Sequence, residues 1–229
     1  QPISERTLKI GGFSDGSFTI SRSHGIRSEI YEASDRIGGA VNLIPPERLP
    51  RDVVGKDWTC APGSAHIPIH FLTRIDDPAS LLDAYDAVIV ATGEPHASSL
   101  RVPGEELCTS FMDYLRRPED YATTGAVAVI GGGNVAVDCA MTAHRQGASS
   151  VEMFIRRRLS DMRITRSEHL ALIDKGINLF GMTSPERIAR QGDLLSMTVH
   201  RNAHDGQSWH ALPNTSVDLP YFSLIVAAL

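Results

Sequence analysis

Cysteine is scarce: Cys60, Cys108 and Cys139 are the only three in 229 residues, and they are widely separated. That spacing excludes a disulfide framework and offers no CxxC pair for zinc, an iron-sulfur cluster or dithiol chemistry, so a reducing, cytoplasmic setting is expected. Long apolar runs are missing as well: none approaches the roughly 18–20 residues a membrane span requires, and the opening QPISERTLKI lacks the apolar core of a signal peptide. No membrane partner is expected. Positive charge is not in excess, with 22 Lys and Arg against 27 Asp and Glu. Without a global positive field to attract a phosphate backbone, nucleic acid is not an expected partner. Patterns of catalytic side chains are absent too. There is no Ser-His-Asp order, no paired-carboxylate pattern and no phosphate-loop Lys, and His66 and His70 lie in a Pro-rich loop without a carboxylate at metal-ligand spacing. No catalytic residue and no metal ligand are assigned, which suits a reaction whose chemistry resides in a cofactor.

What is present is an ordinary globular composition, 42% hydrophobic and 21% charged, and three short runs rich in Val, Ile and Ala: AVIVATG at 87–93, AVAVIGGG at 126–133 and FSLIVAAL at 222–229. Such runs read as buried parallel strands. Helical patterns and Gly-containing connections lie between them, so the fold class is α/β, Rossmann-like, with helices covering parallel sheets. The clearest unit is a strand at Val127–Ile130, a tight turn at Gly131–Gly133, a helix from Asn134 to Gln146 capped by Gly147, and a second strand at Val151–Ile155. Thr165 and Glu168 have capping-box spacing at the start of a further helix that ends at Gly176, followed by a strand at Ile177–Met182. Leu194–Arg201 and Trp209–Leu212, joined across Asp205-Gly206, read as a hairpin. Around 60–70 and 94–104, Pro, Gly, Ser and His mark loops, the second a candidate boundary.

Gly131-Gly132-Gly133-Asn134-Val135-Ala136 is a GxGxxA turn directly between a strand and a helix, the context in which a weak glycine pattern becomes a dinucleotide fingerprint. The first Gly permits the tight turn, the second lets backbone approach a pyrophosphate, and Ala136 is small enough for close packing. The helix N-terminus offers unpaired N–H groups and a positive dipole end. After the second strand, where a carboxylate would take the ribose hydroxyl of NAD, stand Arg156, Arg157 and Arg158. An arbitrary Arg run is a solvated surface, but at this position its planar donor forks suit the 2′-phosphate of NADP.

The run VAVIGGGNVAVDCAMTAHRQGASSVEMFIRRR resembles the NADPH-binding segment of the two-nucleotide flavoprotein oxidoreductases. The branch is that of the glutamate synthase small subunit, with relatives in the amino-terminal half of dihydropyrimidine dehydrogenase and in ferredoxin:NADP oxidoreductases of that type. EASDRIGG at 32–39, ERLP at 47–50, YDAVIVATG at 85–93 and VPGEE at 102–106 occur in the family's order, so the resemblance covers about residues 29–229. It implies an FAD-binding domain interrupted by an NADP-binding domain: 1–98 the first FAD part, 99–213 the NADP domain, and 214–229 a return strand of the FAD domain. It further implies hydride transfer from NADPH to flavin and an electron-accepting protein or subunit. Residue by residue, Gly11 and Gly16 belong to the first glycine motif, Glu32 takes the FAD ribose, Arg36, Gly38 and Gly39 lie along the dinucleotide, and Thr92-Gly93 close the first FAD section. Gly131, Gly133, Asn134 and Val135 hold the NADPH pyrophosphate, and Arg156 and Arg157 its 2′-phosphate.

Two departures from that pattern bear on FAD. KIGGFSDG places Phe13 where the middle glycine belongs, obstructing close backbone approach. The chain stops at Leu229, where the family continues into a last glycine turn and helix over the flavin. These keep open an alternative, a non-catalytic NADP-binding or interaction module without flavin. Cys139, with no second cysteine nearby, reads as a buried small hydrophobe, and Trp58 and Trp209 as packing residues.

Overall fold

The computed structural model describes residues 27–60, 67–93, 98–121 and 123–229, with the main chain alone at 6–10 and 57–60. The chain forms two units, Gln1–Pro95 and His96–Leu229. The first is built on four parallel strands, β1 (Arg6–Ile10), β2 (Arg27–Tyr31), β3 (Ile69–His70) and β4 (Ala87–Val90), in the order β3-β2-β1-β4. A helix, α1 (Arg51–Cys60), lies between β2 and β3 in sequence. Before β4 a short 3-10 turn, Pro78–Asp83, is opened by Asp77, whose Oδ1 accepts from Ala79 N–H at 3.0 Å. Pro at the first turn position and Asp as the cap supply the fixed φ and the missing acceptor that such a turn needs. Across β2 and β3, Tyr31 stacks on His70 with ring centroids 4.6 Å apart, and Glu29 Oε2 takes hydrogen bonds from His70 and Tyr85, each at 3.0 Å.

The second unit begins with β5 (Thr109–Ser110) and α2 (Phe111–Arg116), then runs β6 (Ala126–Ile130), α3 (Asn134–Arg145), β7 (Ser150–Ile155), α4 (Arg166–Asp174) and β8 (Asn178–Gly181). An antiparallel group follows, β9 (Thr183–Gln191), β10 (Leu194–His204) and β11 (Trp209–Ala211), before β12 (Val217–Ala227). The parallel order is β12-β6-β7-β8, with β10 antiparallel to the first half of β12. Alternation along β6 gives each face its partner. Ala128 and Ile130 join Phe154, Ile188, Leu195, Met197, Val199, Phe222 and Ile225 in the core shared with the antiparallel group. Val127 and Val129, both fully buried, point to the other face, where α3 packs with Val137, Cys139, Ala140 and Ala143. Burying a Val, Leu or Ile side chain is worth about 1.5–3 kcal/mol, and β6 is apolar on both faces because both are covered.

The expected strand at 127–130, helix from Asn134 and strand at 151–155 all form, and Gly147 takes φ 89° just past the helix. The capping box is reciprocal: Glu168 N–H donates to Thr165 Oγ1 at 3.2 Å, and Thr165 N–H to Glu168 Oε2 at 2.7 Å. The hairpin across Asp205-Gly206 is present as β10 and β11. Two readings are corrected. Residues 214–229 do not return to the first sheet: β12 pairs in parallel with β6, and Ala228 N–H donates to Ile130 O at 2.9 Å, so the strand completes the second sheet. The apolar run alone could not choose between two sheets that both need such a strand. The single expected strand at 177–182 is followed by another, β9, which the sequence reading missed. In TSPERIARQ only Pro185, Ile188 and Ala189 are apolar, and the strand forms because β10 supplies a paired edge.

Candidate dinucleotide site

Gly131, Gly132 and Gly133 leave the carboxyl end of β6 and enter α3, and each glycine answers a different steric demand. Gly131 has φ 148°, and a Cβ there would stand 2.2 Å from Ala228 O and 3.2 Å from the Ala136 methyl. Its N–H donates to Phe154 O at 3.0 Å, which ties the turn to β7. A Cβ on Gly132 would meet Ile155 Cγ2 at 2.9 Å, whereas one on Gly133 would meet nothing within 4 Å. The first two are therefore small for packing, and the third opens onto free space. Gly133 caps α3 with no side-chain bond, and the first helical bond is Val137 N–H to Gly133 O at 3.1 Å. The N–H groups of Asn134, Val135 and Ala136 precede that bond, and no acidic residue occupies the first turn. Asn134 and Val135 are exposed beside the turn. An anion fits this cradle, since unpaired N–H groups and the helix dipole favour negative charge there. The turn also sits where β6 is flanked by β7 on one side and β12 on the other, the point of reversal at which open α/β sheets bind ligands.

Arg156, Arg157 and Arg158 follow β7 at the same sheet edge, all exposed. Their main chain is clamped. Asn202, buried on β10, donates through Nδ2 to Arg156 O at 3.2 Å and to Ser184 Oγ at 2.8 Å, and Met182 N–H donates to Arg157 O at 2.7 Å. The guanidinium of Arg158 lies 5.7 Å from the ring centre of Trp209. Those of Arg156 and Arg157 make no hydrogen bond or ion pair among the described residues. Two of the three cations are thus available to a phosphate, and the third is engaged by an indole, which gives Trp209 a partner that the sequence reading did not foresee. Asn202 was missed as well; lone Asn residues in strands carry no sequence signal for such a clamp.

In the first unit, the expected residues that are described follow the carboxyl ends of two parallel strands, β2 and β4. Glu32 follows β2, and its Oε1 accepts from Ser34 N–H and Oγ–H, each at 2.8 Å, while Oε2 takes no hydrogen bond among the described residues. Gly38 has φ 112° and is packed against Asn42 and Val54; Gly39 has φ 50°. Thr92 and Gly93 follow β4, exposed, with open space beside Gly93. Arg36 is less available than expected, since its guanidinium grips Asp35 at 2.8 and 3.0 Å. That pair holds the Asp35 carboxyl below the usual carboxylate range, chiefly through the hydrogen bond. Gly11, Gly16 and Phe13 lie outside the described residues. Glu32 and the Thr92-Gly93 turn fit a dinucleotide's ribose and phosphate edge. Cys139 is fully buried in α3 and Cys108 is half-buried; burial pushes both thiols up, that of Cys108 to about 12. Neither is poised as a thiolate nucleophile at neutral pH.

The chain is 31% identical to the NADP(+)-dependent formate dehydrogenase subunit beta of Moorella thermoacetica over 76% of its length and 26% of that protein's. It is 29% identical to the glutamate synthase [NADPH] small chain of Azospirillum brasilense over 81% of its length and 44% of that protein's. The chain therefore spans less than half the length of these two relatives. Among solved structures, FprA of Mycobacterium tuberculosis matches in fold at a TM-score of 0.81 and 17% identity, over 98% of this chain and 70% of that one. Thioredoxin reductase of T. acidophilum matches at 0.68 and 14%, over 97% and 76%. Residues 76–227 match the family described as pyridine nucleotide-disulphide oxidoreductase, to which this chain belongs.

Proposed function

We propose that the chain is the nucleotide-binding core of an NADPH-dependent flavoprotein oxidoreductase, similar to the glutamate synthase small chain, that passes electrons to an acceptor on a partner subunit. The observation that carries this reading is the second unit's cradle: open space at Gly133 and an uncapped α3 N-terminus beside two unengaged cations, Arg156 and Arg157. In it, the N–H groups of Asn134 and Val135 hold the NADPH pyrophosphate, and Arg156 and Arg157 take the 2′-phosphate that distinguishes NADPH from NADH. In the first unit, Glu32 takes the adenosine ribose of FAD, and Gly38, Gly39 and Thr92-Gly93 let its backbone edge approach. FAD supplies hydride acceptance and one-electron release, so the chain's own residues need only bind, orient and exclude water. The subunit and small-chain names of the relatives support a partner subunit as acceptor. Scarce cysteine supports a cytoplasmic setting. A second reading, an NADP-binding module without flavin, is favoured by Phe13 in the first glycine motif.

The test is a visible spectrum of the purified chain with and without added FAD, followed by anaerobic addition of NADPH and NADH separately. A flavin band bleached preferentially by NADPH is expected. NADPH binding without flavin uptake would select the second reading, and no nucleotide binding would refute both. Arg156→Ala with Arg157→Ala should weaken NADPH by roughly ten- to a hundredfold while sparing NADH, as expected for lost charged hydrogen bonds. An equal loss for both nucleotides would remove the 2′-phosphate assignment.

A further inference from the structure

The segment between the Arg run and α4 is folded back onto the glycine turn. Gly181 is packed against Leu159, where a Cβ would stand 3.0 Å from Leu159 Cγ. A short 3-10 turn, Leu159–Asp161, follows, with Arg158 N–H donating to Asp161 Oδ2 at 3.3 Å. Met162 then lies under the turn, its Cγ 3.6 Å from where a Gly132 Cβ would stand. The next residue, Arg163, forms an isolated parallel β-bridge with Gly133. Bridge partners sit roughly 4.8 Å apart and project their side chains to the same face. Gly133 has no side chain, and the space on that face is empty to 4 Å. Arg163 is exposed, and its guanidinium makes no hydrogen bond or ion pair among the described residues.

We propose that Arg163 is a nucleotide-binding residue, the cation that reaches across the vacant face of Gly133 to the pyrophosphate of the bound dinucleotide. The inference rests on the NADP reading of this site and divides it into two. Arg156 and Arg157 recognise the 2′-phosphate and set selectivity, whereas Arg163 recognises the pyrophosphate common to NADPH and NADH and sets overall affinity. The main chain of Arg163, not its side chain, makes the bridge, so changing the side chain leaves the turn intact.

The experiment measures dissociation constants of NADPH, NADH and adenosine 2′-monophosphate for the whole chain and three variants: Arg163→Gln, Arg163→Lys, and Arg156→Ala with Arg157→Ala. Thermal midpoints confirm that each variant is folded. Arg163→Gln should weaken NADPH and NADH by the same factor, on the order of tenfold for one lost charge-assisted bond. It should leave adenosine 2′-monophosphate, which has no pyrophosphate, unchanged, and Arg163→Lys should recover part of the loss. The double Arg variant should show the reverse pattern, losing adenosine 2′-monophosphate and NADPH and sparing NADH. Unchanged nucleotide affinities in folded Arg163→Gln would overturn the proposal while leaving the NADP reading in place. A loss confined to NADPH would also overturn it, by moving Arg163 to the 2′-phosphate. A wild-type chain that binds neither NADPH nor NADH would overturn the NADP reading and this proposal together.

Discussion

Gly131 and Gly133 are two residues apart and chemically identical, yet the structure gives them opposite sensitivities. At Gly131, φ 148° and a Cβ position 2.2 Å from Ala228 O make any side chain a clash with main chain. Gly131→Ala should cost stability, on the order of 1–3 kcal/mol from backbone strain before the clash is counted, which denaturant unfolding will read. At Gly133, φ −101° is ordinary and the space is open. Gly133→Ala should leave the unfolding midpoint near wild type but weaken NADPH, because its methyl stands where the pyrophosphate would approach. Stability lost at Gly133, or binding lost without stability at Gly131, would contradict the division. The Arg run divides similarly. Arg158→Ala should leave the NADPH-to-NADH affinity ratio unchanged, and it should cost about 0.5–1 kcal/mol of stability through the lost contact with Trp209.

At the scale of the elements, α4 owes its start to the reciprocal bonds between Thr165 and Glu168. Thr165→Ala should lower stability by about 1 kcal/mol, readable as a lower thermal midpoint. The pairing of β7 and β12 around β6 places Glu152 in a less forgiving setting. Its carboxyl is buried, and Tyr221 O–H donates to its two oxygens at 3.1 and 3.3 Å. Burial pushes the Glu152 carboxyl up, and the Tyr221 bond only partly opposes it; the Tyr221 hydroxyl itself is pushed up to about 12. A carboxyl with a folded pKa above its unfolded one binds a proton on folding. The native state therefore loses stability as pH rises from the ordinary carboxylate range through the raised value. Glu152→Gln keeps an acceptor for Tyr221 and removes the titration, so its stability relative to wild type should rise across that window and then level off. Denaturant midpoints between about pH 4 and 8 check this against the reference carboxylate range, and a difference that does not change with pH would refute it.

At the scale of the whole molecule, two sheets of similar strand order each present turns at the carboxyl ends of their parallel strands, and on the proposed function the first takes FAD and the second NADPH. Hydrogen exchange should separate them. Added NADPH should protect the amides of Asn134–Ala136 and the segment 156–163, while added FAD should protect the turns after β2 and β4; protection of the same amides by both ligands would contradict separate sites. Much of this was legible in the sequence. Strand, glycine turn, helix and Arg run follow one another within about thirty residues, and the stereochemistry of a tight turn and a helix N-terminus is local. The capping box and the Asp205-Gly206 hairpin were legible for the same reason. What the sequence could not decide is what depends on partners distant in the chain. The destination of β12 was set by the open edge of β6, and β9 became a strand because β10 pairs with it. Which two of three consecutive arginines stay free was decided by Trp209 and Asn202, some fifty residues later, and the approach of Arg163 to Gly133 by a fold-back over Met162. The amino-acid sequence by itself determined that a glycine turn joins strand to helix at 131–133, because hard-sphere limits and hydrogen-bond geometry act between neighbours. Only the tertiary structure decided which charges face it, because side-chain availability is settled by packing and pairing between segments that sequence order leaves far apart.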